Sequence, residues 1–226
     1  MLVLALDTAT PAVTAGVVAL ADGSVPRTLA RRTTVNARAH GELLTPHVRE
    51  VVAEAGITLA ELHAVVVGAG PGPFTGLRVG MVTAATFGHA LDRPVYPVGT
   101  LDAIAVAVDG AEPLLVATDA RRREVYWAAY DAAGNRVTGP HVQRPADLAE
   151  RLPELAVRRA AGQGAELYAD LLGLPVAQPW HPSPDALVAV AAKDLLTGAD
   201  PAPLTPLYLR RPDAEVPVAR KRVTRP

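Results

Sequence analysis

Gly68-Ala69-Gly70-Pro71-Gly72-Pro73-Phe74-Thr75-Gly76-Leu77-Arg78 is the stretch that decides how this chain folds. The β-branched run Val65–Val67 precedes it and a helical stretch, Thr75–Leu91, follows it, so its glycines and prolines mark a strand-to-helix turn. Thr75 is placed to cap that helix. Free backbone amides would point from such a turn and suit an anion or a phosphate group, with Arg78 adding charge in the first helical turn. A tight connection without any ligand explains the same residues equally well. Within the helix, Gly76, Gly80, Ala84 and Gly88 recur every four residues and form a stripe of small side chains. Each glycine costs about 1 kcal/mol relative to alanine inside a helix, so the stripe asks for a close neighbour. Spacing leaves open whether that neighbour is the helix around Leu43–Ala55 or a partner chain.

Working outward, Leu2–Leu6, Val13–Leu20 and Leu29–Val35 read as strands joined by turns at Thr8–Pro11 and Asp22-Gly23, an antiparallel meander. Leu43, Leu44, His47, Val48, Val51, Val52 and Ala55 then recur at helical spacing, and Pro46 either kinks that helix or sits in its first turn. Val95–Val98 is a further strand, and residues 1–99 form a first lobe with a mixed sheet. A second, reduced lobe over 100–200 opens as the first does. Leu2-Val3-Leu4-Ala5-Leu6-Asp7 and Leu114-Leu115-Val116-Ala117-Thr118-Asp119 are both apolar strands closed by an aspartate and followed by a second strand, which suggests a duplication. Val157–Ala161, a helix over Ala165–Leu172 and a helix over Asp185–Leu196 ending at Gly198 continue the alternation, the last placed to pack back on the first lobe. The proline-rich segment 201–226, with Arg220-Lys221-Arg222, reads as an arm or a disordered tail.

Composition narrows the function classes. The chain has 226 residues, half of them apolar, so it can bury a sizeable core. Its formal net charge of −1 lacks the overall footprint of a protein that grips nucleic acid alone. Cysteine is absent, which removes disulfides, thiol nucleophiles and Cys-based zinc sites and suits the cytoplasm. Asp7 and Pro11 interrupt the apolar N-terminal stretch, arguing against a signal peptide or a membrane span. Serine occurs only at Ser24 and Ser183, with no G-x-S-x-G elbow, and no phosphate-binding G-x-x-x-x-G-K-[ST] motif exists. His40 and His47 are seven residues and so about 10 Å apart along one helix, too far for one ion, and Leu44 stands at the usual i+4 ligand position.

Five segments together resemble the TsaB family: Ala5-Leu6-Asp7-Thr8-Ala9-Thr10, His40 with Leu43-Leu44-Thr45-Pro46, Gly70-Pro71-Gly72-Pro73-Phe74-Thr75-Gly76-Leu77-Arg78-Val79-Gly80, Asp119-Ala120-Arg121-Arg122 and Pro206-Leu207-Tyr208-Leu209-Arg210. The resemblance implies an α/β, actin-like ATPase (ASKHA) fold of two duplicated lobes with mixed sheets flanked by helices. It implies a non-catalytic paralogue of the TsaD transferase in threonylcarbamoyladenosine modification of tRNA next to the anticodon. Its expected partners are TsaD, the TsaE ATPase and a second copy of itself, with tRNA met only through the complex. No metal or cofactor is expected, and no catalytic residue.

On that reading, His40, Leu43, Leu44, His47, Val48 and Val51, with Gly76, Gly80 and Ala84, would build the partner interface, and Gly80→Leu should abolish pairing. Asp7, Thr8, Gly72, Thr75, Arg78 and Asp119 would be a vestigial nucleotide or phosphate site. The turn after Asp119 departs from the glycine-rich turn of actin-like nucleotide sites, since Ala120, Arg121 and Arg122 follow it. Gly162-Gln163-Gly164 is either a remnant of an adenosine-side loop or a turn that starts a helix. The competing reading is an independent actin-like ATPase or phosphotransferase using Asp7 and Asp119 around magnesium. A metallopeptidase is a third class, disfavoured by the missing metal pair.

Overall fold

In the computed structural model, which describes residues 1–210, the chain builds two five-stranded sheets with matching topology. β1 (Leu2–Asp7), β2 (Ala12–Ala19) and β3 (Arg27–Val35) form the antiparallel meander, and β4 (Ala64–Gly68) and β5 (Val95–Val98) extend it in parallel, in the order β3-β2-β1-β4-β5. β6 (Leu114–Asp119), β7 (Val125–Tyr130), β8 (Arg136–Gln143), β9 (Arg159–Ala161) and β10 (Val176–Ala177) repeat the pattern as β10-β9-β6-β7-β8. Asp7 pairs with Thr14 at the end of β1, and Asp119 pairs with Val125 at the end of β6. The two apolar strands closed by aspartate are thus equivalent elements of two duplicated lobes.

Seven helices cover these sheets among the described residues: α1 (His40–Glu54), α2 (Phe74–Leu91), α3 (Thr100–Val106), α4 (Pro145–Leu155), α5 (Gln163–Leu167), α6 (Ala169–Leu172) and α7 (Pro184–Thr197). Successive side chains of β1 and β4 point to opposite faces, and both faces are buried. Leu4, Leu6, Val65 and Val67 pack under α1 and α2, while Val3, Ala5, Ala64 and Val66 meet Ala186, Leu187 and Val188 of α7. In the second lobe, Leu115, Ala117 and Trp127 share a core with Leu148 of α4, and Leu114, Val116 and Tyr130 pack on Leu101 and Ile104 of α3. Because Ala103 of α3 also joins the α7 core, α3 and α7 lie between the two sheets and join the lobes.

Two local expectations are corrected and a third, which left two alternatives for Pro46, is narrowed. α2 starts at Phe74 with Pro73 as its N-cap, so Thr75 lies one residue inside the helix and its hydroxyl caps nothing. The stretch 165–172 is not one helix, because Tyr168, at φ −119° and ψ 26°, breaks it into α5 and α6. Pro46 falls beyond the first turn of α1, as its seventh residue.

The segment 201–210 is an arm held in place. The Leu207 amide donates to the Ala69 carbonyl at 2.9 Å, Leu204 and Tyr208 pack on the first core, and Arg210 donates to the Ala120 carbonyl at 3.1 Å. The basic triplet 220–222 lies outside the described residues. Among the described residues no helix is long and apolar enough to cross a membrane.

Candidate functional site

The small-residue stripe of α2 is used inside the chain, because the residues that follow β1 run directly against it. A Cβ on Gly76 would lie 2.5 Å from the Thr8 carbonyl, and one on Gly80 would lie 2.4 Å from Thr8 Oγ1. Thr8 Oγ1 donates to the Gly76 carbonyl at 2.7 Å, so this close approach is hydrogen-bonded as well as packed. Ala84 is fully buried in the same core, and a Cβ on Gly88 would strike Val95 at 2.2 Å. Leu44, Val48 and Val51 of α1 are likewise buried, at 0–1 % exposure.

The expected partner interface is corrected accordingly. Of its residues, Leu44, Val48, Val51, Gly76, Gly80 and Ala84 are interior, and Leu43 is half-buried. His40 and His47 are buried and bonded within the chain. His40 Nε2 lies 2.8 Å from the Thr10 carbonyl, which can only accept, so Nε2 carries the proton. His47 Nε2 lies 3.0 Å from Thr34 Oγ1, and burial holds this imidazole below its ordinary pKa. α2 turns Phe74, Thr75, Arg78, Val82 and Thr86 outward, with Val82 63 % exposed, and His89 and Ala90 near its end.

A cleft of about 800 Å³ opens between the lobes. Its first-lobe wall is built from Thr8 and Thr10 after β1, from Arg38 and His40 at the start of α1, and from Gly72–Gly76 at the start of α2. Its second-lobe wall is the β6–β7 turn, Asp119–Arg122, with Tyr126, and Tyr208–Arg210 of the arm crosses one side. The vestigial-site residues divide here. Thr8, Gly72, Thr75 and Asp119 line the cleft, while Asp7 and Arg78 do not.

Asp7 is fully buried. Its Oδ2 accepts from Thr100 Oγ1 at 2.7 Å and its Oδ1 from the Ala9 amide at 2.9 Å, so it pins the turn after β1 to the start of α3. Burial pushes its carboxyl up to about 6, and the hydrogen bonds offset only part of that rise. A Cβ on Gly68 would overlap Asp7 Oδ2, so glycine at 68 is what leaves room for the carboxylate. Arg78 is engaged elsewhere. Its guanidinium lies 3.8 Å above the Phe74 ring, and its Nε donates to Tyr208 Oη at 2.9 Å while Tyr208 stacks on Phe74.

The β6–β7 turn has an unusual backbone. Arg121, Arg122 and Arg123 all have positive φ, at 61°, 53° and 60°. The Glu124 amide donates to the Arg121 carbonyl at 3.0 Å and closes a turn whose central positions favour Asn-Gly. Non-glycine residues in this region cost roughly 1–2 kcal/mol each. Asp119 Oδ1 accepts from the Arg121 amide at 2.8 Å, and Arg210 pairs with Glu124 beside it. The sequence signal for this wall was the arginine run after Asp119. Nothing in the sequence placed Arg38 or Arg210 opposite it. Gly162, at φ 93°, lies against the Ala117 carbonyl, where a Cβ would come within 2.3 Å, so this glycine serves close packing at the start of α5. Among the described residues no three His, Asp or Glu side chains gather as a metal-binding group.

A family model described as TsaD, tRNA N6-adenosine threonylcarbamoyltransferase, matches residues 27–215. An Escherichia coli relative, tRNA threonylcarbamoyladenosine biosynthesis protein TsaB, is 32 % identical over 185 residues, covering 76 % of this chain and 75 % of that protein. The chain belongs to the TsaB family. An uncharacterised protein of Mycobacterium tuberculosis is 55 % identical over 214 residues, covering 94 % of this chain and 93 % of its own length. Among solved structures, YeaZ from Pseudomonas aeruginosa superposes with a TM-score of 0.73 at 30 % identity, over 92 % of this chain and 99 % of that one. The activator of 2-hydroxyisocaproyl-CoA dehydratase from Clostridium difficile, solved with ADPNP, shares the fold at a TM-score of 0.54 and 10 % identity, over 87 % of this chain and 95 % of that one. TsaB-family membership and the duplicated sheets together place this chain in the actin-like ATPase fold.

Proposed function

We propose that this chain is a non-catalytic subunit in threonylcarbamoyladenosine biosynthesis on tRNA, where it binds a TsaD-like transferase and works with a TsaE-like ATPase. The observation that carries the reading, within a TsaB-family chain, is the position of Asp7. A carboxylate used to hold magnesium and phosphate must face the cleft, whereas this one lies beneath the turn with both oxygens bonded to Thr100 and Ala9. Asp119 faces the cleft without that counterpart. This disfavours the competing ATPase or phosphotransferase.

The partner surface is the outer side of α2 with the adjoining part of α1, centred on Val82, because the inner sides of both helices are consumed by the chain's own core. The same surface would serve a homodimer. Val82→Asp places a charge at the centre of this surface without entering the core. In co-elution of the purified chain with the TsaD-like transferase, this variant is expected to keep wild-type circular dichroism and lose the complex. A complex of undiminished strength would overturn the assignment of the surface.

A further inference from the structure

We propose that the arm at residues 201–210 is an intramolecular competitor for the partner surface on α2, covering the first part of that surface until a partner helix displaces it. This rests on the partner-subunit reading above and adds the regulation of the same surface. The outward side chains Phe74, Arg78, Val82, Thr86 and Ala90 recur every fourth residue and so form one stripe along α2. At a rise of about 1.5 Å per residue the stripe runs about 24 Å, long enough for a partner helix to lie along it. Its two ends differ. Val82, Thr86 and Ala90 are exposed, whereas Phe74 and Arg78 are engaged by Tyr208 of the arm. The Tyr208 ring stacks on Phe74 with centroids 4.9 Å apart, Arg78 Nε donates to Tyr208 Oη at 2.9 Å, and the Arg78 guanidinium lies 3.8 Å above the Phe74 ring. Each of the three side chains therefore touches the other two.

The arm covers the anchors and leaves the rest of the stripe bare. Aromatic and arginine side chains are the ones that dominate binding at protein interfaces, and Phe74 and Arg78 are the residues of this stripe that carry such groups. Phe74 stays 39 % exposed with Tyr208 stacked on it, so its ring lies at the surface and belongs to neither sheet's core. The arm itself is lightly held. Pro201, Pro203 and Pro206 have no amide to donate, and the segment adds no strand to either sheet. Among the described residues its one backbone bond to the body runs from the Leu207 amide to the Ala69 carbonyl. Side chains make the other ties, with Leu204 and Tyr208 against the first core and Arg210 to Ala120 and Glu124. A segment with so few backbone bonds opens locally at low cost, and a partner offers equivalent side-chain contacts in exchange. The fraction of molecules with the arm lifted then scales the apparent affinity for the partner.

The test is calorimetric titration of the full-length chain with the TsaD-like transferase. Tyr208→Ala removes both the stack and the hydrogen bond to Arg78, and it is expected to tighten the complex about fivefold or more. Tyr208→Phe keeps the stack and is expected to fall between that variant and wild type. A gain in affinity is an outcome that poor folding does not produce. Hydrogen exchange gives a second readout on the unaltered chain. On adding the transferase, the Leu207 amide is expected to exchange faster, while the backbone around Val82 is expected to exchange more slowly. Tyr208→Ala binding no more tightly than wild type, or a Leu207 amide that stays as protected in the complex, would overturn the competition. Val82→Asp separates the two ideas. If it loses the complex while Tyr208→Ala leaves affinity unchanged, the surface stands and the competition alone falls. If Val82→Asp binds at full strength, the surface and the competition fall together.

Discussion

Asp7 shows how one side chain can be a signature in sequence and a constraint in structure. Its carboxyl is moved from 3.8 to about 6 by burial, which corresponds to roughly 3 kcal/mol of differential interaction between its two protonation states. The folded state binds this proton more tightly than the unfolded chain does. Below pH 3.8 the residue is therefore neutral in both states, and its contribution falls as pH rises through the window up to about 6. In chemical denaturation at a series of pH values, the stability difference between wild type and Asp7→Asn is expected to shift in favour of the variant as pH rises from 4 to 7. A difference that stays flat across that window would mean the carboxyl is not shifted. Gly80 makes the same point by sterics. Gly80→Ala puts a methyl where Thr8 Oγ1 stands, and thermal melting is expected to show a loss of about 1–3 kcal/mol. For this reason Gly80→Leu tests the core and not partner binding.

At the scale of elements, the arm does more than end the chain. Residues 204–210 cover part of the first core, stack Tyr208 on Phe74, bond Arg78 and close one side of the cleft through Arg210. The contacts span both lobes, from Ala69 to Ala120. Truncation after Pro203 removes them together. The truncated chain is expected to remain folded, to lose about 1–3 kcal/mol in denaturant titration, and to be cut faster by protease at the start of α2. An unchanged midpoint would show that these contacts add nothing to stability.

For the whole molecule, the decisive arrangement is the placement of α3 and α7 between the two sheets. Leu187 of α7 is fully buried against β1 and β4, and Leu101 and Ile104 of α3 are buried against the second lobe. Neither lobe can expose its inner sheet face without disturbing these helices, so the lobes are expected to unfold as one unit. The fluorescence of Trp127, buried in the second lobe, should therefore change at the same denaturant concentration as far-UV circular dichroism. Leu187→Ala, set in the first-lobe core, should lower both midpoints together, by about 2–5 kcal/mol. Two separated transitions would show that the lobes are independent.

The sequence by itself determined the five strands of the first sheet, the opening strand of the second, the two long helices of the first lobe and the duplication, because apolar runs of β-branched residues and helical spacing are local signals; β8 and β10, a half-exposed edge strand and a two-residue strand, carry no such run. It also determined the family, through the segments around Asp7, Gly70–Gly80 and Asp119. It could not reveal α3, a seven-residue helix. Six of its residues are apolar or threonine, and a helix packed between two sheets keeps little of the polar face that periodicity needs. Nor could it assign the apolar side of α1 and the small stripe of α2, since a face that packs on its own sheet has the same spacing as one that packs on a partner. Tertiary structure decided that point through the close contact of Thr8 with Gly76 and Gly80. It also decided which charges meet. Arg38, Arg121 and Arg210 are far apart in the chain and share a cleft only because the two lobes and the arm are folded against one another.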